Sequence, residues 1–236
     1  NDMDFIINSF KNVQFRMLTS ATNLKKIPDF TGIENPERIQ FLKNEESQPD
    51  LTYKKVISKS EEKLETVVKL VSKIGKETVV IFCNHRDAVD RISEALTIKG
   101  VSNGSFHGGL DQSDRERALM KFRNKSSRVL ITTDLAARGL DIPEIGHVIH
   151  YQIPDKEDAF IHRNGRTARM KAKGIIYVMI TNEEHFDFID PEMPLEDLSG
   201  NYKTENATDF KTIYISAGKK DKVNKVDIVG YLIKTG

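Results

Sequence analysis

The feature that most narrows the fold is an alternation: short β-branched runs recur at intervals too long for hairpins and long enough for helices. Residues 77–83 (Glu-Thr-Val-Val-Ile-Phe-Cys) form a nearly continuous apolar run, the pattern of a strand covered on both faces. Residues 85–99 then place Ala88, Ile92, Ala95 and Leu96 on one side of a helix. The pattern repeats with strands over 101–106, 128–132, 146–151 and 175–181, and helices over 113–122 and 156–164. Upstream, 51–57 reads as a strand and 61–74 as a helix. Strands joined by helix-length segments need right-handed crossovers, so the expected fold class is α/β, a mainly parallel sheet with helices on both faces. Ligands of such sheets sit beyond the carboxyl ends of the strands.

The flanks read differently. Residues 13–19 and 38–42 are strand-like, but the polar stretch 43–50 (Lys-Asn-Glu-Glu-Ser-Gln-Pro-Asp) separates them from the body and reads as a linker. The body is expected over 51–190 and a second linker over 191–209, where Pro191, Pro194 and Gly200 lie in acidic sequence. Residues 211–216 are then strand-like and 226–233 helix-like, too little to bury a core.

Charge is balanced overall, with 36 Lys and Arg against 35 Asp and Glu, but segregated along the chain. Residues 115–173 hold 13 basic and 7 acidic side chains, whereas residues 174–202 hold none and 7. An Arg-rich block of +6 attracts phosphate through planar guanidinium forks, although a solvated basic face has the same composition. No apolar run approaches the roughly 20 residues needed to span a bilayer. The first residues (Asn1-Asp2-Met3-Asp4) do not have the form of a signal peptide, and the single Cys83 cannot form an intrachain disulfide. These features lead us to expect a cytoplasmic protein, and a monomer is the separate expectation for its assembly.

Two segments carry chemistry. His162-Arg163-Asn164-Gly165-Arg166-Thr167-Ala168-Arg169 sets three Arg within seven residues just after an expected helix. Cations crowded together repel unless a polyanion is present, which points to triphosphate or nucleic acid, with surface salt bridges as the plain alternative. Val129-Leu130-Ile131-Thr132-Thr133-Asp134-Leu135-Ala136-Ala137-Arg138-Gly139-Leu140-Asp141 runs from a strand into a Thr-rich and then Gly-containing turn. Such a turn suits phosphate oxygens and Asp141 could accept from a ribose hydroxyl, but Thr-Thr-Asp is also an ordinary helix cap.

Together these segments resemble motifs V and VI of superfamily 2 helicases, and most closely those of the DEAD-box RNA helicases. Ser20-Ala21-Thr22 is similar to motif III and Val80-Ile81-Phe82-Cys83-Asn84 to motif IV. Gln112-Ser113-Asp114-Arg115, after His107-Gly108-Gly109, is similar to the family's Gln-x-x-Arg element. Ala168 stands where the family usually has Gly. The resemblance implies a RecA-like second helicase domain, with residues 1–42 as the end of a first one. It implies that Arg166 and Arg169 are arginine fingers to ATP, a role worth about 10³ to 10⁵ in rate. By the same resemblance Asp141 and Gly139 face the nucleotide and His162 couples the ATP and RNA sites. Thr133, Arg86, Asn84, Gly108 and Arg115 approach one RNA strand through its backbone, which is largely blind to sequence.

The sequence contains no Gly-x-Gly-Lys-Thr phosphate loop and no Asp-Glu-Ala-Asp. We therefore expect the Mg²⁺ ligands in a missing first domain, no metal site here, and no ATP hydrolysis by this chain alone. The tail, from Thr212 through Lys222 to Gly230, resembles the opening of the RRM-like RNA-binding domain of the DbpA subfamily, placing it over 210–236 and suggesting ribosomal RNA as partner. A superfamily 2 DNA-dependent ATPase and a non-enzymatic RNA-binding adaptor are the alternatives.

Overall fold

The computed structural model describes residues 2–19, 27–33, 35–39, 50–137, 145–167, 173–204, 208, 210–215 and 217–235. They fall into two compact units, Asn1–Glu46 and Ser47–Gly236. In the first, helix α1 (Asp2–Ser9) buries no side chain, and a short 3₁₀ turn spans Asp29–Thr31. Residues 13–19, expected as a strand, have no regular structure, and Phe15 and Met17 are exposed. A strand needs a neighbour to take up its backbone groups, and the described residues of this unit contain none. The Arg16 guanidinium instead donates to the Thr31 and Gly32 carbonyls, both at 3.1 Å.

The second unit bears out the α/β reading. Its elements run β1 (Asp50–Ile57), α2 (Lys63–Ile74), β2 (Val79–Cys83), α3 (Arg86–Ile98), β3 (Asn103–Phe106), α4 (Gln112–Arg123), β4 (Val129–Thr133), α5 (Asp134–Ala137), β5 (His147–His150), α6 (Glu157–Asn164) and β6 (Lys173–Ile180). All strand pairs are parallel, in the order β1-β6-β5-β2-β4-β3. Alternate residues of β2 serve opposite layers. Val79, Ile81 and Cys83 pack with Val67, Leu70, Val71, Val89 and Ile92 of α2 and α3. Val80 and Phe82 pack with Ala118, Phe122 and Phe160 of α4 and α6. The strand order turns around at β2, with β3 and β4 on one side and β5 and β6 on the other, and a crevice at the carboxyl ends is the expected consequence.

The acidic stretch after β6, expected to begin a linker at residue 191, packs along the edge strand. The Lys55 N–H donates to the Pro194 carbonyl and the Glu196 N–H to the Lys55 carbonyl, both at 2.8 Å. Ile189 and Met193 enter the core. Glu196 is buried between Lys54 (2.6 Å) and Lys73 (2.5 Å). Burial works against its charge, but hydrogen bonds from Lys54 and Lys73 outweigh burial and hold the carboxyl below its ordinary value. Residues 211–215 form no strand, whereas α7 (Lys225–Thr235) matches the expected helix. Asn224 caps it through Oδ1, which accepts from the Val226 and Asp227 N–H groups at 2.8 and 3.2 Å.

His150 lies wholly inside the sheet, 4.4 Å between ring centroids from Phe160, with Nε2 2.7 Å from Asn164 Oδ1. Burial, then the nearby Arg163 charge, pushes its pKa down to about 3. Unfolding returns it to about 6.5, so between those values the unfolded chain holds a proton the native state lacks. Stability from this group is therefore complete above about pH 6.5 and falls as pH drops through that window. His147, also lowered by burial, adds the same sign, while Glu196 matters only below its ordinary 4.5. Denaturant unfolding should lose up to about 1.4 kcal/mol per pH unit from His150 between about pH 6 and 5, and His150→Leu should flatten the slope. A profile flat over that range in the parent chain would contradict this.

Candidate functional site

The carboxyl ends of β2, β3 and β4 open into a cleft of about 570 Å³. Its lining comes from Asn84, His85, Arg86 and Asp87 after β2, His107, Gly108 and Gly109 after β3, and Thr133 and Asp134 where β4 meets α5. The β3 turn is pinned by His107, which is buried. Gly109 N–H donates to its Nδ1 at 3.1 Å, so the ring proton sits on Nε2 and donates to Asp90 Oδ1 at 3.0 Å. A Cβ on Gly109 would stand 3.1 Å from His107 Nδ1, so the turn itself limits that position. Gly108 differs: nothing lies within 4 Å of where its Cβ would be, leaving bare backbone facing open space.

Beneath the cleft lies Arg163, 2% exposed and among the largest fully buried side chains. It projects from α6 and its guanidinium gathers three strand ends. Nε and one terminal nitrogen donate to the two oxygens of Asp134 at 2.6 and 2.7 Å. The other terminal nitrogen donates to the Gln152 carbonyl at 2.6 Å, while the nitrogen bound to Asp134 also donates to Asn84 Oδ1 at 2.8 Å. The Cζ lies 5.2 Å from the Phe82 ring centroid. Asn84 completes the network, with Nδ2 donating to the Ile153 carbonyl at 2.8 Å and its N–H to Gln152 Oε1 at 2.9 Å. A buried charge is tolerated only when paired and fully hydrogen-bonded, and this one is both.

The structure thus brings together four of the five residues expected to face RNA: Asn84, Arg86, Gly108 and Thr133. Arg86 is exposed, and the Asp87 carboxylate, 3.7 Å from it, is itself exposed. Asn84 lines the cleft, but its carboxamide is committed to Arg163 and Ile153, which makes it a positioning group. Arg115 does not line the cleft; it sits half-buried in the first turn of α4, its Nε buried without a hydrogen bond. His162 is exposed, and Arg166 is half-buried in the turn after α6, its N–H bonded to the Arg163 carbonyl at 3.1 Å. Gly139, Asp141 and Arg169 lie outside the described residues, as do Ser20, Ala21, Thr22 and Ala168.

One expectation needs correction. The three Arg of residues 163–169 do not act alike, because Arg163 is spent inside the protein on Asp134. Neither Arg163 nor its partners Asp134 and Gln152 were singled out from sequence. No local sequence signal marks Arg163 as buried, because its partners come from distant segments. Thr167 also serves packing: its hydroxyl donates to the Ile145 carbonyl, and a Cβ on Gly174 would approach it to 2.5 Å.

The cleft presents groups suited to binding. Cys83, the last residue of β2, is buried, and burial pushes its thiol up to about 12. Among the described residues no three His, Cys, Asp or Glu side chains are grouped to hold a metal. Likewise, no described helix is long and apolar enough to cross a membrane. A guanidinium, bare glycine backbone and a threonine at strand ends match phosphate and sugar oxygens.

Residues 62–171 match the helicase conserved C-terminal domain family. Over 171 residues the chain is 36% identical to the ATP-dependent RNA helicase eIF4A of Schizosaccharomyces pombe, covering 71% of this chain and 44% of that protein. The chain therefore spans less than half the length of this relative. The fold is similar to the Escherichia coli DEAD-box protein SrmB bound to regulator of ribonuclease activity A, with 28% identity and a TM-score of 0.53 over 57% of this chain and 79% of that one. It is also similar to a DEAD-box protein from Methanococcus jannaschii, with 30% identity and a TM-score of 0.52 over 56% and 36%.

Arg163→Ala would leave the Asp134 carboxylate under the cleft without its fork, and we expect a loss of about 3–5 kcal/mol in denaturant unfolding. Arg163→Lys, a point charge without the fork, should recover only part of it. A loss under about 1 kcal/mol for Arg163→Ala would show that the network is not structural.

Proposed function

We propose that the chain belongs to the DEAD-box helicase family through its C-terminal RecA-like domain and is the carboxyl-terminal part of an ATP-dependent RNA helicase. The observation that carries this reading is the convergence of Arg86, Gly108 and Thr133 on one cleft at the carboxyl ends of the strands. In this reading the cleft holds one RNA strand by its phosphates and sugars. Arg86 supplies charge, and the open space over Gly108 lets the strand approach the peptide backbone. Arg166 and Arg169 are the proposed arginine fingers, Asp141 and Gly139 the proposed nucleotide-facing residues, and His162 the proposed link between the two sites.

The phosphate loop and the Mg²⁺ ligands would come from a first RecA-like domain. ATP, when bound there, supplies the energy that closes the two halves on RNA. The part of this chain is to hold guanidinium groups where negative charge gathers in phosphoryl transfer. Arg163 ties these roles together, since it lies between His162 and Arg166 in sequence and holds two cleft residues, Asn84 and Asp134. The finer reading, a ribosomal RNA target recognised with help from an RRM-like segment over 210–236, rests on the tail's resemblance and its basic charge. A cytoplasmic monomer is the matching expectation.

Fluorescence anisotropy with a short single-stranded RNA at low salt tests the cleft. Arg86→Ala should weaken binding by about 1 kcal/mol, roughly five-fold, and make it less sensitive to salt. Gly108→Ala should leave thermal unfolding unchanged, because its Cβ meets nothing in the protein, yet weaken RNA binding. Binding untouched by both substitutions would refute the cleft assignment. The chain alone should show no ATPase above background, and substantial hydrolysis abolished by Arg166→Ala would contradict the need for a first domain.

A further inference from the structure

The loop after β3 that carries Gly108 into the cleft is a closed turn. The Leu110 N–H donates to the His107 carbonyl at 3.2 Å, which places Gly108 and Gly109 at the centre of a β-turn from His107 to Leu110. The two common forms of such a turn differ by a flip of the central peptide. The flipped form needs a positive φ at the third residue and favours glycine there. Gly109 stands at that position, yet the positive-φ glycines among the described residues are Gly32, Gly75 and Gly100. The turn is therefore the unflipped form, although its sequence allows the other at little cost.

His107 makes the choice. Its Nδ1 accepts from the Gly109 N–H at 3.1 Å, a bond that only the unflipped peptide can make, and the Asp90 carboxylate on α3 keeps the ring proton on Nε2 at 3.0 Å. Because the peptide is planar and trans, an N–H drawn towards His107 sends the Gly108 carbonyl of the same peptide to the opposite side. Among the described residues no donor takes up that oxygen. Gly108 is exposed and lines the cleft with Arg86 and Thr133. Neither its φ nor its surroundings demand glycine, since nothing lies within 4 Å of where a Cβ would be. What the missing side chain leaves open is an acceptor at the cleft surface that a ligand can approach closely.

We propose that the Gly108 carbonyl accepts a hydrogen bond from a ribose 2′-hydroxyl, and that His107 is the positioning residue that gives the cleft its preference for RNA over DNA by keeping that carbonyl outward. This rests on the reading of the cleft as an RNA site and adds to it the atom that reads the sugar. A guanidinium such as Arg86 meets phosphate, which RNA and DNA share, so charge does not separate them. The 2′-hydroxyl does: a fixed acceptor takes a donor that deoxyribose lacks. When the peptide flips, an N–H replaces the carbonyl, and the sugar loses its acceptor while a phosphate gains a donor.

The test measures, by fluorescence anisotropy on the whole chain, binding of an oligoadenylate of about 10 nucleotides in ribose, deoxyribose and 2′-O-methyl form, a length within the about 4–16 nucleotides a single binding groove covers. One hydrogen bond of ordinary net strength should make the parent prefer the ribose strand about five-fold over the other two. His107→Phe, which keeps an aromatic ring but no acceptor, should bring the three affinities together. His107→Asn should keep the ribose preference, because its Oδ1 can accept from the N–H two residues on. Asp90→Ala, which frees the ring proton to move to Nδ1, should remove part of the preference. Arg86→Ala should weaken the ribose and deoxyribose strands by the same factor. The 2′-O-methyl comparison needs no variant, so it decides the matter even where His107→Phe does not fold. A parent that binds the ribose and 2′-O-methyl strands equally overturns the proposal, as does a folded His107→Phe chain that keeps the full preference; in both cases the cleft reading stands if Arg86→Ala still weakens binding. A parent chain that binds none of the strands removes both readings.

Discussion

Everything at the working edge of this domain depends on one buried guanidinium. Arg163 donates to a carboxylate after β4, an amide after β2 and a carbonyl after β5, and so fixes the relative height of three strand ends. In a parallel sheet those ends are loops, the least constrained part of the fold. A single planar fork with five donors can hold them together because its hydrogen-bond directions are rigid, which a flexible ammonium could not match. The cost of burying the charge is offset by Asp134 and by hydrogen bonds in all directions. The benefit is a cleft whose walls are set before any ligand arrives.

The second anchor lies on the other edge of the sheet, remote in sequence from the first. Glu196, clasped by Lys54 and Lys73, fastens the acidic stretch after β6 against β1. That stretch blunts an edge strand that would otherwise present unpaired backbone groups, with Lys55 pairing to Pro194 and Glu196. Of the acidic stretch, Glu196 is thus held against β1.

Much of the fold was legible because strands covered on both faces must be apolar throughout. Val79–Cys83 and Val129–Thr133 have no solvent side to betray a helix period. Four cleft residues were legible because the motifs mark the loops that follow those strands. Arg163 was not, since its partners Asn84 and Asp134 lie 79 and 29 residues away, and only the folded chain makes them neighbours. The acidic stretch was read as a linker for the same reason: Glu196 finds Lys54 across 142 residues. Residues 13–19 misled in the opposite direction. Their alternation is real, but propensity without a partner strand does not make a sheet.

The strand-end cleft held by Arg163 is the proposed binding site for single-stranded RNA. Amide chemical-shift mapping of the labelled chain during titration with a short RNA tests it most directly. Shifts should centre on 84–87, 107–109 and 133–134 and collapse in the folded Arg163→Lys chain. Shifts confined to the β1 edge around Glu196, with the cleft amides unmoved, would contradict it.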